Sequence, residues 1–547
     1  MGLGKSSLPN QKSIAILLFN LACLCWACVV QANTQLDILS DTTGPVINRD
    51  IFGQFSEHIG EGIYGGIWVG RDSSIANVNG IRSDVVNALR ELNVPVLRWP
   101  GGCFADQYHW RDGIGAASER VSRINGWGNV IETNQFGSDE FMELAKQIGS
   151  EAYISVNVGS GSVAEAADWL EYLTADIPTT LVNAREKNGH PEPYRVKYLG
   201  LGNEAWGCGG AMSAEEYFAR LKPYSVLALN HHPQQRFSGI DLLFNHSAQN
   251  PDAMIRVAAG PNDNDVAFTE SLMRAWAAAP GYLHVFDAMS LHHYTMSRGP
   301  MSDSSIDFSV SEYLKFMHMA YQMDDILQRH IDIMDKYDPK KQVALVVDEW
   351  GNWLKPELSE NPMFLKQQNS LRDALTAAIT LNTFMRKADR VKMANIAQMV
   401  NVIQSMILTR GKEMVLTPTY YLYKMYKPFQ GATLIPLAPQ TESFSMEGVT
   451  LPRIDTVLAR DTEDNLWLSV VNLHPHASTA ITLPEILLVT QAKGYVLTAD
   501  NVNAFNTFND SNQVVMAPVQ FSAANKEALL LTLPAKSVSV FKLVTGR

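Results

Sequence analysis

Cysteine is scarce in this chain. Of five in 547 residues, Cys23, Cys25 and Cys28 lie near the start, leaving Cys103 and Cys208. A disulfide framework is therefore excluded as the main source of stability, and a chain of this length must build hydrophobic cores of its own, in two domains or so. Basic residues are also in deficit: 44 Lys and Arg stand against 56 Asp and Glu, a formal charge of −12. That balance argues against a nucleic-acid partner. Long apolar runs are lacking after Ile14 to Val30, which follows Lys5 and Lys12 and precedes Gln31 and Ala32. This reads as a secretory leader over residues 1–32, removed near Asn33, with no stable membrane span afterwards and a secreted or periplasmic location. Its removal takes away two lysines and no acid, moving the charge from −12 to −14. His231 with His232 and His292 with His293 have no surrounding ligand set, and neighbours on a strand point apart, so no metal or cofactor is expected.

What is present from Ile51 to about Thr409 is a repeated phrase: a short apolar run, a polar or Gly-rich loop, then an amphipathic segment with a start signal. Such phrases are βα units. Strands are expected at Phe52–Ser56, Val94–Trp99, Ala152–Val158, Tyr198–Leu201, Arg236–Ile240, Val285–Leu291, Val343–Val347 and Met393–Met399. Ser162 with Glu165 and Ser213 with Glu216 are capping boxes opening the helices after the third and fourth. Eight units predict an α/β fold, a TIM-type (β/α)8 barrel over 47–425. After Tyr426 apolar residues alternate, as at Leu466, Leu468 and Val470, with turn residues between, so 426–547 is expected to form an additional antiparallel β-sandwich, jelly-roll-like. Gln35 to Ile38 alternates likewise, and the segment 33–46 is expected to lend that sandwich a strand.

Barrel enzymes gather their chemistry where strands end, and the unusual polar residues fall there: Ser56 to His58, Arg98 to Cys103, Asn203 and Glu204, His292 to Tyr294, Asp348 and Glu349. Acetal hydrolysis needs a proton for the leaving oxygen and a group to meet the developing cation, which two carboxyls supply. Strands four and seven end across the barrel mouth, so Glu204 and Glu349 are the candidate pair, at the separation of about 5 Å that retention requires. Glu204 is expected to carry the proton, since a neighbouring carboxylate and Trp206 disfavour its charge, and Glu349 to stay ionised. Asn203 is placed to bond a sugar hydroxyl beside the reacting carbon. For Glu57 and Asp348 a salt bridge is the competing, lesser reading.

The phrases QFSEH (54–58), LRWPGG (97–102), YHWRDGIG (108–115), ETNQFG (132–137), GNE (202–204), SLHHY (290–294), DEW (348–350) and NIAQMVNVI (395–403) occur in that order. Together they resemble the α-L-arabinofuranosidases of glycoside hydrolase family 51 over nearly the whole chain. The resemblance implies Glu204 as acid/base and Glu349 as nucleophile. It implies sugar contacts from Glu57, Asn203, His292, Tyr294 and Gln398, an aromatic wall from Trp353, and a looser match at Trp127. Its partners would be arabinose-containing plant polysaccharides or oligosaccharides, and relatives form homo-oligomers, often hexamers.

Many relatives have Asn where this chain has Cys103, and a thiol is a weaker donor at that sugar-binding position. Cys103 and Cys208 are expected to border the pocket, either as a disulfide or as two independent thiols. Two rival functions fit parts of the sequence: a barrel glycosidase cutting xylan or glucan, and a carbohydrate-binding barrel without catalysis.

Overall fold

The computed structural model describes residues 33–39, 43–236, 250–280, 285–357, 361–438, 442–523 and 529–546. Eight parallel strands close into a barrel: Gly53–Phe55, Val96–Trp99, Glu151–Val156, Tyr198–Leu201, Ile255–Ala258, Ala288–Thr295, Ala344–Asn352 and Val391–Ala397, each paired with the next and the last with the first. The helix after the third strand, Val163–Thr174, starts where Ser162 accepts from the Glu165 amide. Ser213 and Glu216 form a reciprocal capping box at Ala214–Leu227.

The fifth strand differs from expectation. It is Ile255–Ala258, whereas Arg236 lies in a turn and the rest of the expected strand, 237–240, falls outside the described residues. Arg256 hid it, interrupting a four-residue apolar run with a charge. In the fold that charge is matched by Asp287, which accepts from Nε at 2.9 Å and Nη2 at 3.1 Å. The expected leader, 1–32, also lies outside the described residues, among which no helix is long and apolar enough to cross a membrane.

Inside the barrel, Val96, Tyr153, Tyr198, Val257, Ala288, Val346 and Met393 fill one layer. Above it, toward the strand C-termini, the interior becomes charged: Tyr153 turns its hydroxyl up to Asp348 Oδ2 at 2.7 Å, and Arg98 lies over the same ring. The apolar layer is thus the floor on which the polar residues stand.

The C-terminal sheets are a six-stranded one (in spatial order Thr433–Ile435, Ile454–Arg460, Leu466–Asn472, Ser537–Thr545, Val489–Leu497 and Ala517–Ser522) and a three-stranded one of Asn33–Gln35, Thr479–Thr482 and Leu530–Leu533. The N-terminal strand is Asn33–Gln35 and pairs parallel with Thr479–Thr482, while Ile38 makes a single bridge to Leu437. Strand Leu466–Asn472 is buried on both faces. Leu466, Leu468 and Val470 pack between the sheets, and Val471 joins the barrel core. The helix Leu371–Arg386 lies at that junction and is buried almost all round, with polar side chains among the enclosed ones. Its Asn382 and Arg386 donate to Asp455 at 2.6, 3.0 and 3.1 Å, tying barrel to sandwich. Asp455→Ala removes the acceptor of Asn382 Nδ2 and leaves Arg386 only the Thr456 carbonyl at 3.3 Å and the Thr383 hydroxyl at 3.1 Å, and is expected to lower unfolding stability by about 2 kcal/mol, read as a lower Tm with kcat/KM at 25 °C within about twofold; an unchanged Tm would contradict this role.

Candidate active site

The site is organised from the second strand. Arg98, 1 % exposed, donates from Nη1 to Glu349 Oε1 at 2.8 Å and to the Asp348 carbonyl at 3.0 Å, and from Nη2 to Asn203 Oδ1 at 2.6 Å. Its Nε lies 3.5 Å from Asp348 Oδ2, and its plane covers the Phe55 ring at 4.5 Å. Glu349 Oε2 accepts from the Tyr294 hydroxyl at 3.0 Å. Two glycines follow Trp99-Pro100 because the backbone must pass under both acids: a Cβ on Gly102 would stand 2.6 Å from Glu349 Oε1, and one on Gly101 2.6 Å from Glu57 Cγ.

Glu204 ends the fourth strand's loop entry with φ +39°, in the left-handed region that a non-glycine residue occupies at a cost. The conformation is held from both sides. Gly207 and Gly209 amides donate to its carbonyl at 2.7 and 3.1 Å, and the preceding Asn203 amide donates to Asp106 at 3.0 Å. Asp106 also accepts from the Val158 and Gly159 amides at 2.8 and 2.7 Å; burial raises its carboxyl to about 7 despite these bonds. His292 meets Glu204 from the sixth strand: Nδ1 donates to Oε1 at 2.9 Å while Nε2 lies 3.2 Å from Asp348 Oδ1. Burial alone would lower His292, but Glu349, Asp348 and Glu204 together raise it to about 10, so it is an imidazolium at neutral pH. Burial would raise Asp348, yet Arg98 and His292 hold it at about 2. One carboxylate oxygen each of Glu204 and Glu349 and a ring nitrogen of His292 all lie within 4.8 Å of one another.

The remaining expected residues gather around this pair. Glu57 Oε1 accepts from the Phe104 amide at 2.9 Å and Trp127 Nε1 at 3.1 Å, and Gln398 Nε2 reaches Oε2 at 3.3 Å. Trp353 meets the Tyr294 ring edge-on at 5.2 Å between centroids. Cys103 and Cys208 are bonded to each other, so the sulfur at the sugar-binding position has no hydrogen to donate. His293 turns away from His292, toward Asp263 at 2.7 Å, as alternation along a strand requires.

Residues 88–294 match the α-L-arabinofuranosidase 1 domain and residues 348–537 the α-L-arabinofuranosidase C-terminal domain. An intracellular exo-α-L-arabinofuranosidase of Bacteroides ovatus is 41 % identical over 519 residues, 94 % of this chain and 96 % of that one. The crystal structure of the family 51 arabinofuranosidase from Xanthomonas axonopodis pv. citri is 40 % identical, with a TM-score of 0.87 over 94 % of this chain and all of that one. The chain belongs to the α-L-arabinofuranosidases of glycoside hydrolase family 51. An arabinose complex of the α-L-arabinofuranosidase from Thermotoga maritima is similar at 28 % identity and a TM-score of 0.74, covering 94 % and 100 %. As a member of this family the chain is a glycoside hydrolase, and the xylan, glucan and non-catalytic alternatives give way. One expectation is corrected: the Bacteroides ovatus relative is named an intracellular enzyme, which overturns the secreted or periplasmic location.

Of three further residues of this arabinofuranosidase site, Arg98 and Asp348 were noted from the sequence only as strand-end residues without a role in the chemistry, and Asp106 was not noted. Arg98 carried a signal, a charge between apolar Leu97 and Trp99 in a barrel strand. Asp348 is both the salt-bridge partner it could have been and part of the site. Asp106 carried none, because its three amide partners come from two other loops.

Gly102→Ala is expected to displace Glu349 and lower kcat/KM on the order of 100-fold without unfolding the chain; kinetics beside circular dichroism check it, and near-normal kcat/KM would show that the close approach is dispensable. Glu57 supplies a pH prediction. Burial first, and Glu349 second, raise it from the ordinary 4.5 to about 7. A raised carboxyl contributes stability that is full below the unfolded value and lost as pH rises through the folded one. Wild type should therefore lose Tm relative to Glu57→Gln between about pH 5 and 8; a difference that stays constant across this range would contradict the shift.

Proposed function

We propose that this α-L-arabinofuranosidase releases terminal L-arabinofuranose from arabinan, arabinoxylan or arabino-oligosaccharides with retention, Glu349 acting as nucleophile and Glu204 as acid/base. The observation that carries this is the approach of their oxygens to within 4.8 Å, too close to seat the water that inversion needs. In the first step a Glu349 oxygen bonds the anomeric carbon as the glycosidic bond breaks, and Glu204 gives its proton to the departing oxygen. In the second, Glu204 takes a proton from water as the water attacks that carbon and Glu349 leaves.

Arg98 and Tyr294 each hold one oxygen of Glu349 and so fix the carboxylate in place. His292 occupies Oε1 of Glu204, so the proton delivered to the leaving group rides on Oε2. Asn203, anchored by Arg98, is positioned for the hydroxyl beside the reacting carbon, where a bond strengthens as positive charge develops. Glu57 and Gln398 take other ring hydroxyls, and Trp127 and Trp353 form apolar walls.

External azide tests both roles. With a nitrophenyl α-L-arabinofuranoside, Glu349→Ala should lose roughly 1,000-fold or more in kcat/KM, whereas Glu204→Ala should lose roughly 100-fold or more in kcat, because water attack on the glycosyl-enzyme goes unassisted, with a much smaller change in kcat/KM. Azide should rescue Glu204→Ala to the α-arabinosyl azide, by attack on the β-linked glycosyl-enzyme, and Glu349→Ala to the β-azide, by attack on the substrate. Full activity in either variant, or exchanged azide configurations, would reassign the carboxylates.

A further inference from the structure

The disulfide joins the loop after the second strand to the loop after the fourth, bridging 105 positions of chain, and its two sulfurs stand beside the acid/base. Cys208 Sγ lies 3.5 Å and Cys103 Sγ 3.9 Å from Glu204 Oε2, the oxygen that His292 leaves free. Asn203 Nδ2 lies 3.7 Å from Cys208 Sγ. Cys208 is exposed and Cys103 half-buried, so the bond is open to solution while both sulfurs stand beside Glu204.

Two physical consequences follow from this placement. The loop from Glu204 to Met212 begins with a residue in the left-handed region and is closed by backbone bonds of Gly207, Gly209 and Met212. A strained residue persists only where its surroundings over-determine it, and the bond from Cys208 to the second-strand loop is a covalent part of those surroundings. Secondly, bonded sulfurs carry neither proton nor charge. Two thiols in their place are donors, and a thiolate among them is an anion next to the oxygen that must hold and release the catalytic proton.

We propose that Cys103–Cys208 is a thiol–disulfide exchange site for low-molecular-weight thiols and disulfides, whose redox state governs proton transfer at Glu204. This rests on the reading of Glu204 as acid/base. A thiolate attacks Cys208 Sγ, forming a mixed disulfide and expelling Cys103 as thiolate. A second thiolate attacks the small-molecule sulfur of that mixed disulfide, releasing Cys208 and the small disulfide. Two external thiols are oxidised as the protein bond takes up two electrons and two protons; the reverse reaction uses the small disulfide as oxidant. The bonded form braces Glu204 for proton transfer, and the reduced form does not.

The test equilibrates the full chain in buffers of graded reduced to oxidised glutathione, counts thiols after denaturation, and measures kcat/KM on two substrates. An arabino-oligosaccharide has a poor leaving group that needs the acid; a dinitrophenyl arabinofuranoside has one that departs as an anion. The expected result is that reduction lowers kcat/KM on the oligosaccharide about tenfold or more while changing the dinitrophenyl substrate less than about twofold, with the midpoint of the change at the midpoint of the thiol titration. Glu204→Ala marks the limit of that substrate ratio. The Cys103→Ser, Cys208→Ser double variant should show no dependence on the glutathione ratio. Two free thiols under every oxidising buffer would overturn the proposal, and so would a pair that cycles while the substrate ratio stays constant. No activity on either substrate in either state would overturn the underlying reading and the proposal together; activity without redox response sinks this proposal alone.

Discussion

The guanidinium of Arg98 is the constraint around which the site is built. It reaches Glu349, Asn203 and Asp348 at once, from a strand position flanked by the apolar Leu97 and Trp99. A planar fork of donors can hold three acceptors in fixed directions, which a lysine's single ammonium cannot. Burying that charge is costly, and the cost is offset only because carboxylates surround it. The barrel therefore needs Asp348 and Glu349 for stability as well as for chemistry. The same reasoning explains why the two glycines after Trp99-Pro100 cannot bear side chains: the second-strand loop has to run directly beneath the acids that its own arginine attracts.

Charge matching extends outward from there. Arg98 and the imidazolium of His292 face Glu204, Asp348 and Glu349, so two cations stand against three carboxylates. Glu57 sits at the edge of this group and is driven toward its neutral form by burial and by Glu349. Each carboxyl consequently has its own environment: Glu57, Asp348 and Glu349 are buried and Glu204 is half-buried. Asp348 is held strongly ionised, Glu57 titrates near 7, and the opposed pair spans the place where the sugar carbon would sit. Environments that differ between neighbouring carboxyls are what allow one to act as nucleophile and another to carry a proton.

Much of this was legible in the sequence, for reasons that also explain what was not. Strand ends were readable because apolar runs stop abruptly at polar residues, as Leu201 gives way to Gly202-Asn203-Glu204. The fifth strand was not, since Arg256 breaks its period and the matching Asp287 lies far along the chain. Glu204 and Glu349 could be paired from topology alone, because strands four and seven of a closed barrel are fixed relative to each other. The contact from His292 to Glu204 was not foreseen, because it joins the sixth strand to the loop after the fourth, far apart along the chain. Whether the two cysteines bond depends on the approach of two loops, which no local pattern encodes, and Asp106 is invisible for the same reason.

The central claim is that Arg98 fixes Glu349 as the nucleophile of a double displacement. The direct measurement is peptide mapping by mass spectrometry after brief exposure of wild type and Arg98→Lys to a slow fluorinated arabinofuranoside. The account predicts a covalent pentosyl adduct on Glu349 in wild type, formed about tenfold or more slowly in Arg98→Lys because the fork is lost while the charge is kept. An adduct on another carboxylate, or equal rates in the two proteins, would contradict it.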